Sequence, residues 1–166
     1  MATIRGRVGG EMIGKDVDLV IEGSTMRGRI GGPQLGNDLY LEISGNQVRG
    51  RLGGKVFGQD VRGELTQNSF KGRLGGQIIG KDLVLTNQNG HITGRLGGTV
   101  DGWSFDLQFD PRQGLLYGRA GGAVYGNNVN LKLTGNIAGI VGALVAGITV
   151  HYILSQMPNN KPGVQP

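Results

Sequence analysis

The motif Gly-Arg-apolar-Gly-Gly begins at Gly6, Gly28, Gly50, Gly72, Gly94 and Gly118, at intervals of 22 residues four times and then 24. A strict internal period shorter than a domain means one supersecondary unit that buries its apolar face against its neighbours. Each copy also carries a glycine four residues after the Gly-Gly pair, at Gly14, Gly36, Gly58, Gly80, Gly102 and Gly126. An alternating segment follows each of these.

The alternation identifies the unit. In the first segment of copy two, Met26, Gly28 and Ile30 share one face, and Arg27 and Arg29 share the other. Copies three and four repeat this with Val48-Gly50-Leu52 and Phe70-Gly72-Leu74. The second segment places Val17-Leu19-Ile21, Leu39-Leu41-Ile43 and Val129-Leu131-Leu133 on one face. Period-two alternation rich in branched residues predicts half-buried strands. Successive copies are linked by Gly23-Ser24, Gly45-Asn46, Gln67-Asn68 and Asn89-Gly90. These are residues suited to two-residue hairpin turns. The fifth link, Asp110-Pro111-Arg112-Gln113-Gly114, holds the two extra residues.

Charge then predicts the register. With a turn at Glu11-Met12, Arg7 faces Asp16, Arg5 faces Asp18 and Ile4 faces Leu19. The same offset sets Arg29 against Asp38, Arg51 against Asp60 and Arg73 against Asp82. Opposite charges across strands contribute roughly 0.2–1 kcal/mol each. A one-residue slip would turn arginine toward the apolar face, so the charges act mainly on register.

Six such hairpins, at about 3–22, 25–44, 47–66, 69–88, 91–110 and 115–134, make twelve strands. An open sheet of that size would leave a long apolar face bare, and closure removes its edges. At ~4.8 Å between strands and ~40° of tilt, twelve strands enclose a cylinder about 24 Å across, too wide for side chains to fill. An α-helix of ~10–12 Å diameter could fill it. The chain supplies one over 137–156, apolar on every face, with Asn136 as the expected N-cap and Pro158 closing the far end.

The expected fold is therefore mainly β: a 12-stranded antiparallel up-and-down barrel around a C-terminal hydrophobic helix, with 157–166 as a flexible tail. The central glycine of each first strand should then face the helix. It would meet the helix's own small residues Gly139, Gly142, Ala143, Ala146 and Gly147 in small-to-small packing. Two alternatives stay open. A period of 22 also suits a parallel β-solenoid, which would stack six arginines in one column. The apolar run is also just long enough to span a bilayer, which needs ~20 residues.

The element order resembles the tubby C-terminal fold, a 12-stranded antiparallel barrel threaded by a hydrophobic C-terminal helix. LURP-one-related proteins and phospholipid scramblases are placed in the same group. The resemblance covers Ile4 to Leu154 and rests on architecture alone. It implies a link to anionic lipid headgroups or membranes, with no ligand residue carried over.

Chemistry is sparse. There is no cysteine, so disulfides, thiolate metal sites and cysteine nucleophiles are excluded. No nucleophile elbow, zinc-protease helix or phosphate loop is present. The chain is expected to be neither an enzyme nor a cofactor carrier. The net charge of +5 permits weak attraction to phosphates or anionic lipid without demanding it, and no nucleic-acid partner is expected. His91 reads as a solvated loop residue, and His151 as a barrel-mouth residue bonded to a turn carbonyl. The N-terminus has no secretory apolar run, which points to a cytoplasmic chain, either soluble or membrane-associated.

Copies five and six break the rules of the other four. Ser104 and Asn128 replace the paired Asp, leaving Arg95 without an acid and Arg119 with only Asp106 nearby. Asp101 replaces the apolar turn residue seen as Ile13, Leu35, Phe57 and Ile79, and Trp103 is the only tryptophan. Breaks in a consistent pattern are where sites are sought. Arg95, Arg112, Arg119, Trp103 and Asp101 are the candidate anionic-ligand rim. The expected roles are a membrane-associated module or a soluble structural barrel that self-associates into homo-oligomers.

Overall fold

A computed structural model describes residues 1–10, 13–32, 34–54, 58–76, 79–98, 102–121 and 126–156. Among them run twelve strands, β1 (Ala2–Val8), β2 (Lys15–Glu22), β3 (Thr25–Ile30), β4 (Asn37–Ser44), β5 (Gln47–Gly53), β6 (Gly58–Leu65), β7 (Ser69–Gly75), β8 (Gly80–Gln88), β9 (His91–Leu96), β10 (Trp103–Asp110), β11 (Leu115–Gly121) and β12 (Gly126–Thr134). The helix α1 (Gly139–Ser155) follows. Each strand pairs antiparallel with its chain neighbours, and β1 pairs with β12, so the sheet closes. The parallel solenoid is thereby excluded. Glu11-Met12, Phe57, Asp101, Pro158 and the 157–166 tail lie outside the described residues.

The register is the one the charges require. Ile4 faces Leu19, Arg5 faces Asp18 and Arg7 faces Asp16. Arg29, Arg51 and Arg73 face Asp38, Asp60 and Asp82. The apolar face of every strand turns inward, with Ile4, Leu19, Leu41, Leu85, Leu107 and Leu131 fully buried. The sheet has two unlike ends. One carries the two-residue turns, where Gly23, Gly45 and Asn89 take positive φ of 59°, 59° and 54°. The other carries the Gly-Gly loops.

The central glycines have a different reason from the one expected. A Cβ on Gly28, Gly50 or Gly94 would lie 2.1, 2.0 or 2.0 Å from the carbonyl oxygen of Asp18, Tyr40 or Val84 on the neighbouring strand. The obstruction is the wall's own backbone and not the helix. A strand coiled this tightly in a barrel brings an adjacent peptide over the Cα, and only glycine leaves room.

The helix fills the lumen. Its residues from Ile140 to Leu154 are buried except Val141, on every face of the cylinder. It is a plug and not an outward anchor, and no helix among the described residues is long and apolar enough to cross a membrane. Its packing is small against large. A Cβ on Gly139 would strike the ring of Phe109, and one on Gly142 or Gly147 would strike Leu133 or Leu83. The small helix residues thus receive wall side chains, which corrects the small-to-small expectation.

The helix also starts later than 137 and lacks the Asn136 cap. Its N-cap is Ala138, in extended conformation, with no side-chain bond. The chain leaves β12 at Thr134 and reverses through Gly135, at φ 85°, before it can enter the lumen. Residues 135–138 are spent on that reversal. The helix therefore enters at the two-residue-turn end and finishes at the Gly-Gly-loop end.

Candidate functional site at the glycine-loop mouth

One inward position of the repeat is polar in five of the six copies. The first or second residue of each second strand is Lys15, Asn37, Gln59, Lys81, Trp103 or Asn127. Strand parity puts these side chains on the inner face, opposite Val8, Ile30, Leu52, Leu74, Leu96 and Ala120. They form a collar around the last turn of α1, where the interior meets solvent.

The collar holds the helix by specific bonds. Asn37 Nδ2 donates to Tyr152 Oη at 2.7 Å. His151 Nδ1 and Gln59 Oε1 lie 2.7 Å apart. Lys15 Nζ sits 5.3 Å from the centre of the Tyr152 ring, within cation–π range. Burial, and secondarily the charge of Lys81, push His151 down to about 4, so it is neutral near pH 7. A neutral ring whose Nδ1 faces an amide oxygen carries its proton there. The partner of His151 is thus a strand side chain and not the turn carbonyl expected. Trp103 Nε1 is buried without a hydrogen-bond partner among the described residues.

Between β4, β6 and the helix end lies a cavity of about 440 Å³. Asn37, Gln59, Tyr152, Ser155 and Gln156 supply its polar groups, and Leu52 an apolar wall. Among the described residues, no three of His, Asp and Glu are grouped to hold a metal ion.

The arginines outside the wall serve the loops. Arg7 bonds Asp16 and the carbonyls of Gly10 and Gly14. Arg29 does the same with Asp38, Gly32 and Gly36. Arg51 and Arg73 bond Asp60 and Asp82 together with the Gly54 and Gly76 carbonyls. Each guanidinium fork therefore ties its own Gly-Gly loop, a role beyond register that spacing alone did not reveal. Beyond these clamps, the loops present bare aliphatic tips: Ile13 is 53% exposed, Leu35 85% and Ile79 86%.

No protein-family model, curated protein or solved structure matches this chain.

The candidate rim of the sequence does not assemble. Arg95 and Arg119 do lie toward the glycine-loop end, on the outer wall. Arg95 bonds Ser104 Oγ and the Gly98 carbonyl, each at 2.7 Å, so it keeps the loop clamp with Ser104 at the strand position where other copies hold Asp. Arg119 faces both Asn128 and Asp106, yet Asp106 bonds His91 Nε2 at 2.7 Å instead. His91 is exposed but paired, which corrects its reading as merely solvated. Arg112 sits in the turn after β10, at the opposite end; Asp110 lies six positions along the strand from Ser104, ~20 Å away. Trp103 points into the lumen, away from the outer arginines. Asp101 lies outside the described residues.

The collar was missed although its signal was present. The position after Gly14, Gly36, Gly58, Gly80, Gly102 and Gly126 varies while its surroundings repeat, and its parity is that of the buried residues.

Proposed function

We propose that this barrel is a non-enzymatic module that docks, by its glycine-loop end, on membranes carrying anionic lipid. The observation that carries it is the set of exposed aliphatic tips, Ile13, Leu35 and Ile79, placed by three separate copies at one end of the molecule. Aliphatic side chains bared to water around one rim offer apolar area that a membrane surface could cover. Lys15 and Lys81 stand at the same end, beside the mouth. A lysine near an anionic leaflet contributes about 1 kcal/mol, and each aliphatic tip adds what its apolar area gains on leaving water, about 25 cal/mol per Å². The helix plays no anchoring part, being the core of the barrel. The tubby-like element order supports a membrane-side role, as an analogy of fold.

Vesicle co-sedimentation tests this. The wild-type chain should pellet with phosphatidylserine-containing vesicles and not with phosphatidylcholine alone. Leu35→Asp with Ile79→Asp should abolish pelleting without altering the circular dichroism of the fold. Absence of binding to both vesicles would remove the proposal. Concentration-dependent self-association abolished by the same two substitutions would favour a soluble, self-assembling barrel instead.

A further inference from the structure

We propose that the mouth cavity binds the ring of a small uncharged polyhydroxyl compound, a sugar or cyclitol, either free or as a lipid headgroup. This goes beyond membrane docking and does not depend on it. The cavity of about 440 Å³ lies in the size range of small-molecule sites. Its described lining carries no formal charge, since Asn37, Gln59, Tyr152, Ser155 and Gln156 are all neutral.

The unspent hydrogen-bonding capacity of the lining selects the ligand. Tyr152 Oη accepts from Asn37, so its own proton remains to be donated. Gln59 uses its oxygen on His151, which leaves its amide N–H groups free. Asn37 uses its amide nitrogen on Tyr152, which leaves its oxygen as an acceptor. Ser155 Oγ donates to the Tyr152 carbonyl and can still accept. The cavity therefore offers donors and acceptors interleaved over a short distance. A hydroxyl both donates and accepts, so a polyol meets them all. An oxyanion would set its lone pairs against Asn37 Oδ1 and against the carbonyl end of α1, the negative pole of a helix. A cation would find the Gln59 and Tyr152 donors turned against it, with Lys15 close by over Tyr152. Leu52 offers an apolar wall for the C–H face of a ring.

The test is a titration of the full ¹⁵N-labelled chain with galactose and with myo-inositol, following the side-chain amide signals of Asn37 and Gln59. Inorganic phosphate at matched ionic strength is the charged comparator. Saturable shifts with at least one polyol, absent with phosphate, are expected. Tyr152→Phe keeps the ring and loses the donor; it should retain the backbone spectrum and bind roughly fivefold more weakly. Vesicles of phosphatidylcholine with and without galactosyl diacylglycerol separate the sources. Retention on the galactolipid that free galactose competes away assigns a headgroup, and binding of free galactose alone assigns a soluble sugar. Flat titrations with both polyols, equal shifts with phosphate, or unchanged polyol affinity in a folded Tyr152→Phe chain would overturn the proposal. The phosphatidylserine experiment reads docking separately, so failure of either leaves the other standing.

Discussion

At the residue scale, two side chains show how the copies compensate one another. Gly63 stands where the other copies hold Leu19, Leu41, Leu85, Leu107 and Leu131. A Cβ there would lie 2.5 Å from Cζ of Phe70, whose ring also covers Gly72. Phe70 in turn stands where other copies carry Ile4, Met26, Val48, Ile92 and Leu116. Gly63→Leu alone should therefore overpack the lumen and cost about 1–3 kcal/mol. Phe70→Leu alone should open a cavity and also destabilise. The double variant restores the pattern of the other copies. Its urea midpoint should lie above the additive value, with a coupling of about 1 kcal/mol or more. Both substitutions could be located by aligning the copies, but their contact could not. It depends on the Phe70 ring lying along the paired strands over Gly63 and Gly72.

His151 gives a pH prediction at the same scale. An unfolded histidine takes its proton near 6.5, and this one only near 4, because burial and Lys81 oppose the charge. Between those values the unfolded chain binds more protons, so stability is complete above pH 6.5 and falls as the pH drops toward 4. The loss is on the order of 2–3 kcal/mol. Comparing urea midpoints of the wild type and His151→Gln from pH 7.5 to 4.5 isolates this contribution from the carboxylates. A wild-type slope no steeper than the variant's would contradict it.

At the element scale, the hairpin is closed by its arginine. The ion pairs are exposed, and pairs of that kind contribute little. The bonds to loop carbonyls, which in Gly10 and Gly32 also accept a backbone N–H, fix the loop to the strand and should matter more. Asp38→Asn should therefore change stability by less than about 0.5 kcal/mol, whereas Arg29→Ala should cost about 1–2 kcal/mol. Copies five and six already carry Ser104 and Asn128 at the acid position, and Arg95 keeps its loop bond in that setting. Equal losses in chemical denaturation would restore the ion pair as the main contribution. The helix is the other element under test. A chain ending after Thr134 keeps all twelve strands but loses the filling of the lumen. It should lose near-UV circular dichroism and bind a hydrophobic dye, whereas a barrel indifferent to its plug would retain a cooperative melt.

At the scale of the molecule, the closed sheet makes two unlike ends from one repeated unit. The two-residue turns are tight and polar. The Gly-Gly loops are clamped at their base by arginine, and three of them bare Ile13, Leu35 and Ile79. This asymmetry follows from the hairpin's own polarity, since closure of an up-and-down sheet puts every like loop at the same end. Among the described residues, Ile13, Leu35 and Ile79 thus come to stand on one rim. A membrane or a second copy would meet the rim as a whole, so binding should fall steeply as successive tips are removed. Vesicle pelleting by Leu35→Asp, by Ile79→Asp and by the pair should show more than additive loss on a logarithmic scale.

The repeated unit, its strand parity and its register are legible in the order of residues alone. Those rest on local rules: period-two alternation, turn chemistry, and an arginine that can sit opposite aspartate only in one alignment. The same order also determined that the apolar segment must be covered, because no polar face was written into it. What covers what was settled by closure of the sheet. The glycine of each first strand proved to be cleared for a neighbouring peptide, a consequence of barrel curvature that no linear pattern encodes. The arginines near the ends of copies five and six were separated from Arg112 because chain order does not say which end of a barrel a loop will occupy. The mouth collar arose where inward strand positions from six copies converge on the end of one helix, and that convergence exists only once the sheet has closed.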